Sequence, residues 1–523
     1  MTRYLLPAAL FVVVAAAGAS LAQAPNPAAP APAAPAAAAP GAPPVAGRGG
    51  PGRGPNLQAV AFAANCASCH GADMNGARAP SLVRADFLGT TTDETLHKVI
   101  ADGEPDQGMP AFKATLNDGD ISQLIAYIRN QSGRFRTRVT YVPNIDGQII
   151  KTQKQNFRMT VLADGLDTPW GEVFLPDGRM LLTERAGRIR VMAHGKLLPE
   201  AVKNTPTPWV RQDGGYFDIA VSPNYAKDKW VYLAFSELAP GAVPPPPLAP
   251  GQRQTTPLPA SMTRIVRAHI NAKNEWVGQQ DVYHVPASLY TPSTIHYGSR
   301  MLFDNKGHLF YTQGERGDHD NAQKLGTPLG KIHRINTDLS VPRDNPFVNI
   351  PDAVPTIWSY GNRNPEGLAY DPVTGLLWES EHGPTGGDEI NVIDKGHNYG
   401  WGIITNGEEP GLTLQRAPGM EPPITYYSPS IGPSAIRFYT GNKYPGWKNN
   451  MFMGALTGQK LYRFEIQDRK IVSQEVLFEQ FGRVRDIMQG PDGLFYILLQ
   501  SPPNGAVFAP SPGMVVRLDP VAN

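Results

Sequence analysis

The sequence predicts a multidomain protein in which a small all-α domain precedes an all-β six-bladed β-propeller. Its only two cysteines, Cys66 and Cys69, lie three positions apart, just ahead of a segment with a helical stripe of apolar residues. From residue 159 to residue 523, a turn followed by apolar strand residues recurs six times. Glycine (53 residues) and proline (52 residues) are abundant, as in turn-rich β proteins. These observations predict the small helical domain and the β-propeller.

The charge balance excludes one class of partner. Lys plus Arg total 47 and Asp plus Glu total 46, for a net charge of +1. A protein that binds a polyanion needs an excess of basic residues. We therefore expect no nucleic-acid partner.

The N-terminus is typical of an export signal. Residues 1–24 combine Arg3, an apolar run at 10–19 and the small residues Ala22 and Ala24, which predicts a signal peptide cleaved after Ala24. A retained N-terminal anchor is the alternative, although the run is too short to span a bilayer. No cysteine lies near the cleavage site, which excludes a lipoprotein. We expect a periplasmic protein whose mature chain has no membrane span.

A tether follows the signal. Of the 31 residues at 25–55, 21 are Ala or Pro and none is aromatic. Such a segment has little to bury, so we predict a disordered tether and place the first folded domain at residues 56–133.

The two cysteines belong to a haem-attachment motif. Cys66-Ala67-Ser68-Cys69-His70 has the C-x-x-C-H pattern, in which both thiols bond covalently to haem c and the histidine ligates its iron. A redox-active C-x-x-C would need a βαβ pattern and a zinc site would need a second ligand pair, and neither is present. Met109, in Gly108-Met109-Pro110, is the candidate for the other axial ligand, whereas Met74 is assigned to packing.

A helix should close this domain. Asp118 is placed to cap it, and an apolar stripe follows with helical spacing at Ile121, Leu124, Ile125 and Ile128. By this point the segment resembles a class I cytochrome c, and the resemblance implies one-electron transfer through a His/Met-ligated haem. The connector at 134–158 has a net charge of +5 and the haem domain −4, so the connector either docks on that domain or is simply solvated.

The six recurrences predict six propeller blades. Each blade of about 61 residues has room for four short strands and their loops. Radial repetition protects sheet edges and directs the connecting loops to one axial mouth, where propellers bind ligands. The recurring segments lie at 175–182, 223–233, 304–311, 371–378, 445–453 and 490–497. Pro244–Pro247 is typical of a surface insertion.

Polar clusters flank these strands. They offer an imidazole base, arginines for an anionic ligand, and carbonyl and carboxylate oxygens for a hard cation such as Ca²⁺. Each cluster alone could be turn chemistry. The clusters span 296–300, 313–318, 361–368 and 380–391.

Together and in this order, the clusters resemble the soluble aldose (glucose/sorbosone) dehydrogenases, which use pyrroloquinoline quinone (PQQ). The likeness runs from about Val161 to the C-terminus, and its most specific segments are 361–368, 380–391 and 398–401. The resemblance implies that His296 is the general base for the anomeric hydroxyl while hydride passes to the quinone. It makes Arg363 the residue that holds the reacting carbonyl, with Asn364 beside it.

The resemblance assigns further residues. It implies that the backbone carbonyls of Gly383 and Pro384 bind Ca²⁺ with support from Asp388 and Glu389. Arg483 and Arg485 match residues that face the carboxylates of the cofactor. Glu315 stands where the family has an aspartate near the histidine, and it would orient the base.

Two departures from the family pattern concern cofactor contacts. Thr457 stands where the family has a lysine that contacts the quinone, and the segment at 212–217 carries an extra residue and aromatics, so Gln212 is only a candidate cofactor contact. Losing a buried charge partner costs about 1.5–3 kcal/mol.

Two functions remain open. The first is a periplasmic quinohaemoprotein that oxidises an aldose, or a related alcohol or aldehyde, with PQQ and passes electrons to the fused haem c, for which a tethered carrier raises the effective acceptor concentration. A downstream periplasmic electron acceptor, a cytochrome or an oxidase, would then reoxidise the haem. The second is a haem c electron carrier joined to a propeller that binds carbohydrate or protein without catalysis.

Overall fold

The computed structural model describes residues 57–71, 74, 79, 81–82, 91–135, 145–245, 257–479, 481–500 and 512–522. The predicted signal peptide and tether lie outside these residues, as do part of the connector and part of the Pro-rich insertion. Residues Pro55–Asn523 form one compact unit.

The described part of the haem domain is helical around one apolar core. Ile121, Leu124, Ile125 and Ile128 are at most 4% exposed, so the predicted stripe faces the core. Met74 lies in the same cluster, and Cys66 and Met109 pack against it. The helices are α1 (Leu57–Asn65), α2 (Ala67–His70), α3 (Asp93–Asp102) and α4 (Asp118–Phe135), with a 3-10 turn at Pro105–Gln107.

The helix α4 begins with a reciprocal cap. Asn117 Oδ1 accepts a hydrogen bond from the Asp120 backbone N–H at 3.0 Å, and Asp120 Oδ2 accepts one from the Asn117 N–H at 3.2 Å. These two bonds satisfy donors that the helix leaves unpaired. The prediction that Asp118 caps the helix was therefore wrong by one residue, because Asn117 is the cap and Asp118 is the first helical residue.

Six antiparallel sheets form the propeller, which confirms the predicted fold of this part of the chain. Five of the sheets follow one another along the chain with four strands each. Their strands are β3–β6 (Pro169–Phe174, Met180–Glu184, Arg188–Ala193, Lys196–Leu197), β7–β10 (Tyr216–Val221, Val231–Leu238, Ser261–Ile270, Trp276–Tyr283), β11–β14 (Met301–Phe303, His308–Gln313, Lys331–Asn336, Ile357–Tyr360), β15–β18 (Pro365–Tyr370, Leu377–Glu381, Asp388–Ile393, Thr425–Tyr427) and β19–β22 (Pro433–Phe438, Met451–Ala455, Lys460–Gln467, Lys470–Glu479).

The sixth sheet joins the two ends of the propeller. Its strands are β23 (Arg483–Gln489), β24 (Phe495–Gln500), β25 (Pro512–Pro520), β2 (Phe157–Asp167) and β1 (Ile149–Ile150). The early strand β2 pairs antiparallel with the late strand β25, with Thr160 opposite Arg517. This pairing closes the ring through backbone hydrogen bonds and leaves no open radial gap between the first blade and the last. Two short helices, α5 (Tyr225–Asp228) and α6 (Asp320–Gln323), interrupt loops.

All six recurring segments fall at the same place in their blades, the turn between the first and second strands. Their uneven spacing arises later in each blade, where loops and outer strands differ in length. The second strands are sandwiched between neighbouring blades, and four of them (β4, β16, β20 and β24) are buried at every position. These strands lack the buried-exposed alternation of a half-exposed strand, and their buried positions include polar residues such as Glu379 and Ser380 of β16.

The blades pack on one another through six apolar clusters, each of which joins residues of neighbouring blades. Trp378 and Trp447 are fully buried in two of them. In an antiparallel blade, the start of the first strand and the end of the second lie at the same edge. Residues just before the first strands and just after the second strands therefore meet at one mouth.

Within the described residues, no helix is both long and apolar enough to cross a bilayer.

Candidate active site at the propeller mouth

A histidine and a glutamate form a buried pair at the mouth. His296 precedes the first strand of the third blade and Glu315 follows the second strand, so the blade topology brings them together. His296 Nδ1 lies 2.9 Å from Glu315 Oε1 and 2.8 Å from Oε2. The two residues are only 7% and 2% exposed. The structure thus places the predicted base and its orienting carboxylate in direct contact.

The surroundings of His296 favour the neutral imidazole. Burial lowers the pKa of His296 below its usual 6.5, and the nearby Arg363 lowers it further, against the opposing effect of Glu315. Burial alone would raise the pKa of Glu315, but His296 and Arg363 bring it below its ordinary value. A neutral imidazole that donates its Nδ1 proton to an ionised carboxylate has an unprotonated Nε2. This is the protonation state that a general base requires.

The backbone around the histidine is held in a strained shape. His296 has φ +54°, a region that costs a non-glycine residue about 1–3 kcal/mol. Its N–H donates to Asp213 Oδ2 at 3.2 Å. Gly314 lies against it so closely that a Cβ there would be 2.1 Å from the His296 carbonyl oxygen, which makes glycine necessary.

Arg363 and Asn364 enter the mouth from the fourth blade. Their backbone N–H groups both donate to Glu381 Oε2, at 2.6 and 3.2 Å. Arg363 Nη1 donates to the His382 carbonyl at 3.1 Å, and its guanidinium lies 5.1 Å from the centroid of the Trp401 ring. The Arg363 carbonyl accepts from the Glu315 N–H at 2.9 Å, so the arginine is tied to the His–Glu pair.

A cluster of arginines lies at the same mouth; Arg485 is buried, and Arg483 and Arg185 are half-buried. Burial, together with a smaller effect of the neighbouring Arg485, lowers the pKa of Arg483 to about 10. Burial also lowers the pKa of Arg485 and of Arg185, another arginine at the mouth. Arg485 Nη1 pairs with Glu366 Oε2 at 2.8 Å. Mutually repelling buried cations favour an anionic ligand, because an anion offsets both repulsion and desolvation.

Sequence reasoning missed Arg185 and Glu381. Arg185 follows the second strand of the first blade, the same position that Gly314-Glu315 and His382 occupy in later blades. Superposing the six recurring segments would have located it. Glu381 lies inside a cluster that the sequence singled out, but its two hydrogen bonds to backbone N–H groups leave no sequence signal.

Gln212 and Thr457 also lie near the mouth. Gln212 precedes the first strand of the second blade and Thr457 follows the second strand of the fifth. The Gln212 side-chain amide donates to the carbonyl of Gln107 in the haem domain at 2.5 Å, while its backbone carbonyl accepts from Arg185 Nη1 at 2.7 Å. Thr457 Oγ1 lies 3.2 Å from where a Cβ on Gly432 would be. Thr457 supplies no cation there.

The predicted calcium loop lies between β16 and β17. Asp388 accepts from the Gly383 N–H at 2.9 Å, from the Ser430 hydroxyl, and from the Ile431 and Gly432 N–H groups at 2.6 and 2.7 Å. Both of its oxygens are therefore engaged within the protein. A small pocket beside the loop is lined by Gly383, Pro384, Glu389 and Thr405, among others.

Buried acids make this pocket suited to a cation. Glu381 and Glu389 lie directly opposite each other on adjacent strands. Burial raises the pKa of Glu389 to about 7, and burial together with Glu389 raises the pKa of Glu381 well above its ordinary value. The described residues contain no group of three or more His, Cys, Asp or Glu side chains arranged around one metal position. A cation here would thus depend on backbone carbonyls.

The haem-attachment residues and the candidate axial ligand lie at or beside the helical core. Cys66 is the residue before α2 and His70 is its last residue, buried to 9% exposure. Burial raises the pKa of the Cys66 thiol to about 12, with a smaller contribution from Cys69. Met109 pairs with Glu104 in a tight loop through two backbone hydrogen bonds and packs on the same core as Cys66. Two thiols, an imidazole and a thioether around one apolar core fit a c-type haem.

Fold and site together define the class. A helical domain with a C-x-x-C-H motif is joined to a six-bladed propeller whose mouth holds a His–Glu base and an arginine cluster, which is the arrangement of a haem-containing oxidoreductase with an anionic second cofactor.

Comparison with known proteins gives the family. Residues 166–508 match the family model "Glucose / Sorbosone dehydrogenase", and residues 57–128 match "Cytochrome C oxidase, cbb3-type, subunit III". The chain belongs to the glucose/sorbosone dehydrogenase family and carries a fused cytochrome c domain. It is similar to aldose sugar dehydrogenase YliI of Escherichia coli, with 34% identity over 65% of this chain and 88% of that protein.

Solved structures agree. The apo-form soluble aldose sugar dehydrogenase of Escherichia coli is 31% identical, with a TM-score of 0.61 over 70% of this chain and 100% of that one. The PQQ-bound aldose sugar dehydrogenase of Streptomyces coelicolor is 26% identical, with a TM-score of 0.54 over 69% and 98%. The chain is a sugar oxidoreductase, and its pairing of domains supports a quinohaemoprotein.

Proposed function

We propose that this protein is a periplasmic quinohaemoprotein that oxidises an aldose at its anomeric carbon to the lactone and passes the electrons to its own haem c. One observation carries the proposal: a buried His296, whose pKa is lowered by burial, is bonded to Glu315 and lies beside Arg363 at a mouth lined by further arginines. The predicted export signal and the C-x-x-C-H motif support the location and the covalent haem.

The protein's own residues handle the proton. Glu315 accepts the Nδ1–H of His296 and so leaves Nε2 to take the proton of the anomeric hydroxyl. The hydrogen bond also fixes the ring orientation, and the burial of both residues excludes water from the pair. Arg363, held through its backbone by Glu381, presents a fixed positive charge beside the base.

The arginine cluster fits PQQ, a tricarboxylate. Arg363, Arg483 and Arg485 would hold it, joined by Arg185, because guanidinium groups pair well with carboxylates. A bound anion would also offset the burial that lowers the pKa of Arg185, Arg483 and Arg485. When bound, PQQ supplies a two-electron acceptor for the sugar.

The loop at 383–388 fits Ca²⁺ through backbone carbonyl ligands, with the carboxylate of Asp388 holding the loop in shape. Asp388 holds the loop, so that the Gly383 and Pro384 carbonyls can serve as ligands, and Glu389 adds negative charge nearby.

Reconstitution tests this proposal. The purified haem protein is mixed with PQQ and Ca²⁺ and then with a panel of aldoses, other alcohols and aldehydes, and haem reduction is followed by absorbance. Sugar-dependent reduction is expected, and His296→Ala should reduce its rate by at least about 100-fold while the haem spectrum stays unchanged. Absence of haem reduction with every sugar, alcohol and aldehyde would favour a propeller that only binds carbohydrate or protein.

A further inference from the structure

The loop that carries Met109 contacts the propeller beside the catalytic histidine. Gln212 Nε2 donates to the Gln107 carbonyl at 2.5 Å. The Thr294 hydroxyl lies 3.0 Å from the Asp106 carbonyl oxygen and 2.7 Å from Gln212 Oε1, so its proton is shared between the two domains. Both contacted carbonyls lie within three residues of Met109.

Shape supports the same contact. Gly108 has φ +76°, and a Cβ there would lie 3.0 Å from Gln212 Nε2 and 3.5 Å from Ile295 Cγ2. The loop from Glu104 to Met109, called the haem loop below, thus approaches the propeller through a residue without a side chain. Thr294 is 1% exposed, as expected for a hydroxyl covered by the neighbouring domain.

The contacted propeller residues are bonded to the active site. The Asp213 N–H donates to the Thr294 carbonyl at 3.2 Å, and Asp213 Oδ2 accepts from the His296 N–H. Gln212 is bonded through its carbonyl to Arg185, a member of the arginine cluster. The haem loop therefore rests on a platform formed by Gln212, Thr294 and Ile295, which connects directly to the base and to the arginine cluster.

We propose that this platform is the docking site through which electrons leave the propeller, with the Met109 side of the haem turned towards the mouth. The proposal rests on the proposed function and deepens it. It assigns Gln212 to domain docking. Oxidation of one aldose to its lactone releases two electrons and two protons. The haem accepts one electron at a time, so an external one-electron acceptor must reoxidise it twice per sugar, while the protons pass to solvent.

Two variants test the contact from opposite sides. Thr294→Val removes the shared hydroxyl without changing the shape of the side chain, and Gly108→Ala inserts a methyl group against Gln212. Thr160→Val is the matched control. The Thr160 hydroxyl donates to Asp519 in the sixth sheet, the sheet that closes the ring.

The first measurement needs no PQQ. Hydroxyl-radical footprinting of the haem-loaded protein reports the accessibility of Ile295, which the loop covers. In both variants, but not in the control, the population of molecules in which the Met109 loop has left the propeller should rise about tenfold. This corresponds to a loss of about 1.4 kcal/mol in the free energy of docking. Unchanged labelling of Ile295 in both variants would overturn the contact.

The second measurement separates electron exit from chemistry. In the PQQ- and Ca²⁺-loaded protein, aldose-driven haem reduction should slow in both variants, whereas reduction of a small diffusible dye by the same sugar should keep its rate. Haem reduction at the wild-type rate despite a lifted loop would overturn the electron path. A wild-type protein that reduces neither dye nor haem would instead overturn the proposed function, a result distinct from either outcome above.

Discussion

At the scale of single residues, the pair of His296 and Glu315 determines how the site responds to pH. The histidine must be neutral to accept a proton. Because its pKa is lowered from the usual 6.5, it stays neutral at pH values where an exposed histidine would already be protonated. Activity should therefore persist into mildly acidic solution and fall as the pH drops through the pKa of the folded state.

Replacing the carboxylate tests this directly. Glu315 opposes the lowering of the His296 pKa, so Glu315→Gln should move the acid limb of kcat/KM to still lower pH. The rate at the plateau should also fall, because the amide no longer fixes the tautomer with a charged acceptor. Steady-state rates with a dye acceptor across the acid range give the profile. An acid limb that stays at the wild-type pH would reject Glu315 as the partner that tunes the base.

Met109 and Met74 provide a matched pair in the haem domain. Met74 lies in the core cluster and Met109 packs against it, but only Met109 lies in the Gly-Met-Pro loop. A methionine ligand raises the potential of a haem. Met109→Leu should therefore leave haem attached while changing its absorption spectrum and lowering its midpoint potential. Met74→Leu should change neither property, and the reverse result would exchange the assignments.

At the scale of structural elements, the loop at 383–388 depends on one carboxylate. Asp388 joins the start of β17 to the Gly383 N–H and to the backbone just before β19. The loop carbonyls can face a cation only while this junction holds. The element therefore joins two blades to the predicted calcium site.

Asp388→Asn should weaken both the connection between the two blades and the predicted calcium site. The amide NH₂ cannot accept the hydrogen bonds that one carboxylate oxygen accepts, and a lost charged hydrogen bond costs about 1.5–3 kcal/mol. We expect a lower Tm and a higher Ca²⁺ concentration for half-maximal reconstitution. Asp338→Asn is the control, because Asp338 lies in an exposed turn and accepts hydrogen bonds from the backbone N–H and the hydroxyl of Ser340. Equal Ca²⁺ requirements in the two variants would contradict the role of Asp388.

The sequence was informative where chemistry repeats locally. The turn between the first and second strands recurs because each blade needs it, so six blades were countable. The assignment of His296, Glu315 and Arg363 to the site came from motif resemblance, and the structure brings these three residues together. Gln212 shows the limit: its contact with Gln107 joins residues more than 100 positions apart, and no local pattern encodes such a contact. The hydrogen bonds that Glu381 accepts from the backbone of Arg363 and Asn364 likewise leave no recognisable sequence pattern.

At the scale of the whole molecule, the central claim is that one chain contains both the sugar-oxidising site and its first electron acceptor. The two domains form one compact unit in which the haem loop contacts the propeller mouth. Electron transfer within a chain differs from transfer between chains in one observable property, its dependence on protein concentration.

The most direct test is stopped-flow haem reduction after mixing PQQ- and Ca²⁺-loaded protein with excess aldose under anaerobic conditions, repeated over a wide range of protein concentrations. An intramolecular path predicts a first-order rate constant that does not change on dilution, and no haem reduction when PQQ is omitted. A rate constant that falls in proportion to protein concentration would show that electrons pass between molecules and would contradict the account.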